Sequence, residues 1–322
     1  MRAFQLVAYD TAPQIIDCPK PDPAAGEVRL KIMACGLNFA DLLMIKGQYQ
    51  ERPPLPMILG MELSGIVDAL GAGVQGFAPG MRVAVFGGSG GLAEFGCFPA
   101  SQCVAMPDGM SFAQAAAFQV AYGTSHLALT HRARLQPGET LLVLGAAGGV
   151  GLGAVEIGRL LGARVIGVAR GADRLDIVRA AGADTVLDSE DGDLKARLKS
   201  LGGVDVTYDP VGGPAFTAAL GATRPGGRIL IIGFASGIVP PIPANILLVK
   251  NISVLGFHLG AYRRFNPDAL TQSTATLLNW FTNGAIAPHI SHILPLDQAA
   301  AALALLQNRA ATGKVVVQIA QN

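Results

Sequence analysis

Residues 141–151 read LLVLGAAGGVG. An apolar run over 140–144 enters a glycine turn, and a helical pattern over 149–161 leaves it. The turn carries the spacing A-x-G-x-x-G at Ala146, Gly148 and Gly151. A glycine pattern alone is weak, but here it follows a strand and opens a helix, which is the context that gives it meaning. The small residues permit a tight turn. Gly148 lets a pyrophosphate approach the backbone, and Gly151 lets the helix pack close to the strand. Backbone N–H groups and the partial positive charge of the helix start attract the anion. The stretch therefore places Ala147, Gly148, Gly149 and Val150 at a dinucleotide. The bland reading, a structural glycine turn, has the following strand–helix pattern against it.

Outward from this turn the chain alternates. Strands are expected at 164–169, 185–188, 204–208, 228–234 and 252–257, with helices at 172–181, 194–201 and 214–223. Such alternation specifies a doubly wound parallel sheet. Its strands are apolar throughout because helices cover both faces. Upstream the chain is β-rich, with strands at 28–35, 63–70 and 82–86. A short helix starts at Asn38 and stops at Gly47, and a helix-like stretch covers 111–134. Downstream, helices at 269–283 and 296–309 precede a closing strand at 314–319. The expected fold class is α/β: a β-rich domain over 1–120, a Rossmann domain over 121–260, and a return to the first domain over 261–322.

The composition agrees. With 322 residues, 51% hydrophobic and 15% charged, the chain has material for two cores. The net charge of +1 comes without a basic block, so no nucleic-acid footprint is present. The N-terminus has no signal-peptide pattern and no apolar run reaches the ~20 residues of a membrane span. A cytoplasmic protein is expected. Cys18, Cys35, Cys97 and Cys103 form no CxxC pair and are expected as reduced thiols.

The end of the second strand discriminates between cofactors. An acid about 20 residues past the turn would hold the ribose hydroxyls of NAD. This chain has Arg170 there, with Arg174 one helical turn on. Two guanidiniums suit a 2′-phosphate, and NADPH is the expected cofactor. As solvated helix-start residues they would have no such role.

The segments NFADLLMIKGQY, PPLPMILGMELSG, AAGGVG, DPVGG and TGKVVV occur in that order. Together they resemble the medium-chain dehydrogenase/reductase superfamily, its zinc-independent quinone oxidoreductase (zeta-crystallin) branch, and most of all the quinone oxidoreductase-like protein 2 group. The resemblance implies a GroES-like catalytic domain around a central Rossmann domain, with the active site in the cleft between them. Zinc-dependent members carry Cys after the long strand and a GHE motif. Here Cys35-Gly36 is present, but GHE is Gly60-Met61-Glu62, and the four-Cys lobe is missing. Met61 is a poor zinc ligand, so no metal is expected.

Without a Lewis acid, an isolated ketone loses the main stabiliser of its developing charge. A quinone or enone spreads that charge by conjugation, and hydrogen-bond donors suffice. The resemblance thus implies hydride transfer from NADPH to a quinone or similar conjugated carbonyl. Reduction of the C=C bond of an enal or enone remains open, as does a non-catalytic NADPH-binding or RNA-binding role. By the same resemblance Asn38 lies near nicotinamide and acceptor, and Tyr49 donates to the quinone oxygen. Asn38, Asp41 and Tyr49 are thus the catalytic candidates, while Asn38 is equally an N-cap, Asp41 equally a member of a structural ion pair, and Tyr49 equally a packing residue. Thr124, in AYGTSH, approaches the carboxamide. Val211, Gly233, Phe234 and Phe257 line the cofactor site, and Arg309 lies near the adenosine phosphate. Ser189 stands where the family often has tyrosine. The family implies a homodimer, for which 252–257 is the expected edge pair.

Two patterns are set aside. Gly87-Gly88-Ser89-Gly90-Gly91 matches G-x-S-x-G, but the strand-like AEFGCF follows where a nucleophile elbow needs a helix. His289 and His292 are expected in a loop because Pro288 and Pro295 flank them.

Overall fold

A computed structural model describes residues 1–320. The chain divides into two compact units. The first comprises Met1–Val120 and the segment from Pro288 onward, and the second is Ala121–Ala287. The return to the first unit therefore begins at Pro288 and not at residue 261. The Leu259–Phe265 and Pro267–Thr282 helices stay with the second unit, where His126 Nδ1 lies 2.8 Å from Ser273 Oγ.

The second unit is built on a six-stranded sheet. Its order is Thr185–Asp188, Arg164–Ala169, Thr140–Val143, Val204–Asp209, Thr223–Ile231, Ser253–Gly256, with every neighbouring pair parallel. In chain order this is 3-2-1-4-5-6, the Rossmann arrangement, and its direction of winding reverses between Thr140–Val143 and Val204–Asp209. Leu142, Leu144, Ile166, Val168, Leu198 and Ala219 form one core layer. Phe216, Leu220, Ile229 and Ile252 form another. Burial of both layers explains why the strands lack alternation.

The first unit carries a seven-stranded sheet. Its long strand Glu27–Leu37 pairs with Glu62–Leu70 on one side and with Lys314–Gln318 on the other. The closing strand thus places the last part of the chain beside Cys35 and Leu37. This β-rich unit is the GroES-like domain.

Several expectations change. The stretch 111–134 is three pieces: Phe112–Ala116, Gln119–Leu127 and a wide turn over Ala128–Arg132. A break is tolerated at Gln119 because the Glu62 carboxylate accepts the Val120 N–H at 2.9 Å, satisfying a donor the new helix start leaves unpaired. Ile290–Pro295 is a strand parallel to Lys314–Gln318, so His292 lies in a strand, while His289 lies in the stretch just before it, its carbonyl accepting the Lys314 N–H at 2.9 Å. Pro295 closes the strand and Pro288 lies outside it, so neither proline interrupts its pairing. The Ala244–Lys250 helix was hidden by the prolines before it, and it ends at Asn251, whose φ of 53° is left-handed.

Candidate functional site

In the first unit, Asn38 opens the Phe39–Ile45 helix with extended backbone. Asp41 receives the Asn38 N–H at 2.8 Å and also a backbone hydrogen bond from Gly60. The two residues form a capping box, and the Asn38 side chain also reaches two buried charges. Its Oδ1 accepts from Lys314 Nζ at 2.7 Å, and its Nδ2 donates to Glu62 Oε1 at 2.9 Å. Lys314 Nζ also donates to Glu62 Oε1 at 2.6 Å and to Leu37 O at 2.8 Å. Lys314 and Glu62 are both buried. Three segments far apart in sequence meet in this cluster.

Asp41 has 0% exposure, and its Oδ1 has no hydrogen-bond partner. Burial pushes its carboxyl up to about 6, although the Asn38 N–H and the Lys314 charge pull the other way. Cys35 is fully buried too. Burial raises its thiol well above the usual value, and the Asp41 and Glu62 charges raise it further. The Gly60 and Gly91 backbones wall in its sulfur: a Cβ on either would fall 2.5 or 2.8 Å from Sγ. Met61 is buried beside them. The glycine loop around Ser89 joins strands Arg82–Phe86 and Phe95–Pro99, and Gly88 N–H bonds to Met61 O at 3.0 Å. Tyr49 is half-buried after Gly47, and Arg309 is exposed at the end of the Ala299–Gln307 helix with φ of 53°.

In the second unit, the glycine turn joins Thr140–Val143 to the Gly149–Leu160 helix. Gly145 has φ of +59°, and a Cβ on Gly151 would lie 2.3 Å from Gly145 O. Neither position accepts a side chain without strain. Gly148 differs, because a Cβ there would meet only Gly145 O, at 3.4 Å. The backbone is thus open on this side, at the start of a twelve-residue helix. Ala147 and Val150 flank it.

Val211, Gly233 and Phe234 come together at the same end of the sheet. Val211 N and Gly212 N donate to Asp209 Oδ1 at 2.7 and 2.8 Å. A Cβ on Gly145 would lie 2.9 Å from Val211 Cγ2, and a Cβ on Gly212 would lie 3.1 Å from the Phe234 ring. Ser236 N donates to Val211 O at 2.9 Å and binds the two loops. Burial raises the Asp209 carboxyl despite its two N–H donors. Thr124 is buried on the Gln119–Leu127 helix, and the neighbouring Ser125 Oγ lies 2.8 Å from Val150 O and 3.0 Å from Tyr208 Oη. Phe257 follows the edge strand, with its ring 5.4 Å from that of Tyr262.

Arg170 directly follows the Arg164–Ala169 strand, and Ser189 directly follows Thr185–Asp188. Both are exposed, and Arg174 lies on the Ala172–Ala180 helix. Arg170 Nη1 lies 3.8 Å from Glu190 Oε1, a long and exposed pair of little strength. Lys314 and Glu62 escaped the reading of the sequence as site residues. The one signal for Lys314 is a lysine opening the otherwise apolar run KVVV.

A Rossmann unit with a glycine cradle and a GroES-like unit with a buried polar cluster define a class, and family models agree. "Alcohol dehydrogenase GroES-like domain" matches residues 24–108 and "Zinc-binding dehydrogenase" matches residues 149–275. The chain belongs to the medium-chain dehydrogenase/reductase superfamily, among the quinone oxidoreductase-like protein 2 relatives. It is 41% identical over 301 residues to the quinone oxidoreductase-like protein 2 homolog of Nematostella vectensis, covering 92% of this chain and 82% of the relative. It is 34% identical over 316 residues to the human synaptic vesicle membrane protein VAT-1 homolog, covering 92% and 80%. Among solved structures, the quinone oxidoreductase of Thermus thermophilus, also solved with NADPH, superposes with a TM-score of 0.87 at 34% identity, covering 99% of this chain and all of that one. Among the described residues, no group of three His, Cys, Asp or Glu is placed to hold a metal ion, and no helix is long and apolar enough to cross a membrane.

Proposed function

We propose that this chain binds NADPH and reduces a quinone or similarly conjugated carbonyl by hydride transfer, without zinc. The reading rests on one observation above others: the open backbone at Gly148, on a helix start, occurs with Arg170 where an NAD-binding chain has an acid. When bound, NADPH supplies the hydride. In the second unit, the backbone of Ala147, Gly148, Gly149 and Val150 faces the pyrophosphate. Arg170, Arg174 and Ser189 serve the 2′-phosphate, and Thr124, Val211, Gly233, Phe234 and Phe257 serve the nicotinamide end. In the first unit, Arg309 is assigned to the adenosine phosphate, and Asn38 and Tyr49 to the acceptor. Asp41, with no exposure, supports the helix entry that carries Asn38.

The residues do not fit a zinc ion. Cys35 is held as a thiol by burial, Met61 offers a thioether, and both Glu62 oxygens already accept hydrogen bonds. Charge relief for the reduced acceptor then has to come from conjugation and neutral donors. A second reading is a non-catalytic NADPH-binding protein; the similarity to the VAT-1 homolog, whose name states no oxidoreductase activity, leaves room for it. Reduction of an activated C=C bond uses the same residues. Loss of NADPH absorbance over a panel of quinones, enals and simple ketones, with a chelator present, separates these readings.

A homodimer forms part of the proposal. Ser253–Gly256 is the outer strand of its sheet, and on the Ala244–Lys250 helix that precedes it Leu248 and Val249 are 76% and 74% exposed. Light scattering reads the mass directly.

A further inference from the structure

Lys314 has three N–H donors and no acceptor. All three find oxygens here: Leu37 O, Asn38 Oδ1 and Glu62 Oε1. An atom facing this ammonium has to be an acceptor, so Lys314 dictates which end of the Asn38 amide is oxygen. Glu62, which only accepts when ionised, dictates from the other side that the second end is nitrogen. Turning the amide over would set NH₂ against ammonium and oxygen against carboxylate. Two buried charges thus fix one orientation of a neutral side chain.

That orientation leaves one group under-used. Nδ2 carries two N–H bonds. One goes to Glu62 Oε1 at 2.9 Å, and the best partner of the other is Gly36 O at 3.4 Å, a long contact. Asn38 as a residue is half-buried, unlike the fully enclosed Asp41 and Glu62 beside it. The ammonium on Oδ1 polarises the amide and strengthens its N–H as a donor. Building on the function proposed above, we infer that Lys314 and Glu62 are positioning residues. They hold Asn38 so that its second N–H is presented to the oxygen of the conjugated acceptor, where charge develops as the hydride arrives. The donor is neutral and needs no metal.

The test compares wild type with Lys314→Met, Glu62→Gln and the double variant, by denaturant unfolding, NADPH titration and steady-state kinetics with a quinone. Asparagine-selective ¹⁵N NMR is run in parallel, with Asn38 assigned through Asn38→Asp. In the double variant the uncompensated charge is gone, and a glutamine NH₂ at position 62 favours the turned-over amide. The expected result is stability well above that of Lys314→Met, unchanged NADPH binding, and kcat lowered about tenfold or more, one hydrogen bond's worth. The Asn38 Nδ2 proton signals shift in step. A double variant with wild-type kcat and unshifted Asn38 signals overturns the inference. If wild type itself reduces no acceptor, the proposed function fails. The NMR comparison then still judges the positioning: unshifted signals overturn it, and shifted signals uphold the locked amide.

Discussion

Lys314 Nζ and Glu62 Oε1 lie 2.6 Å apart in the interior of the first unit, joining the last strand of the chain to a strand 252 residues earlier. The desolvation of both groups is offset only while each has the other. Removing one leaves a buried charge without a counter-ion, a loss of about 3–5 kcal/mol. Lys314→Met should therefore lower the unfolding free energy by that order in urea titrations. A change below about 1 kcal/mol, the range of an exposed pair, contradicts this burial.

The glycine turn separates folding from binding at two positions. In Gly151→Ala the new Cβ meets Gly145 O at a distance of 2.3 Å, with backbone on both sides. Such overpacking costs about 1–3 kcal/mol and disturbs the turn itself. Gly148→Ala meets nothing closer than 3.4 Å and should leave stability near wild type. It should raise the NADPH dissociation constant by about tenfold, because the methyl group occupies the side on which phosphate approaches. Equal NADPH affinity in Gly148→Ala and wild type rejects the cradle.

Asp41 makes stability depend on pH. Its carboxyl rises to about 6 in the folded chain, chiefly through burial, against an unfolded value near 3.9. The folded state therefore holds this proton more tightly. The resulting stabilisation is complete below about pH 4 and is lost as pH rises through about 6. At ~1.4 kcal/mol per unit it is on the order of 3 kcal/mol. Asp41→Asn keeps an oxygen for the Asn38 N–H and removes the titration. The stability difference between variant and wild type should grow in the variant's favour from pH 4.5 to pH 8. A constant difference across that range refutes the assignment.

Cofactor choice tests the end of the second strand. Arg170→Ala and Arg174→Ala should each lower the ratio of kcat/KM for NADPH over NADH, together by about tenfold or more. Glu190→Gln should move the ratio the other way, because it removes the acid 3.8 Å from Arg170. Ratios unchanged in all three variants return both arginines to solvated helix-start residues.

Much of the second unit was readable because its signals are local. A strand, a glycine turn and a helix lie within residues 140–160, and unbroken apolar strands announce a sheet covered on both faces. Asn38 was readable as a helix start for the same reason. Lys314 and Glu62 were not, because the relation between them exists only after the closing strand pairs with Glu27–Leu37. Ile290–Pro295 was misread because prolines at its margins weigh as loop formers, whereas its pairing with Lys314–Gln318 is decided by tertiary contacts. Gln119–Leu127 merged with its neighbours because the group that permits its separate start, Glu62, is 58 residues away from Val120.

The central claim is tested most directly by the rate of NADPH oxidation with a para-quinone, measured with a metal chelator present and with NADH and a simple ketone as comparisons. The account predicts chelator-resistant turnover that favours NADPH over NADH and the quinone over the ketone. Turnover of the ketone alone, abolished by the chelator, contradicts it.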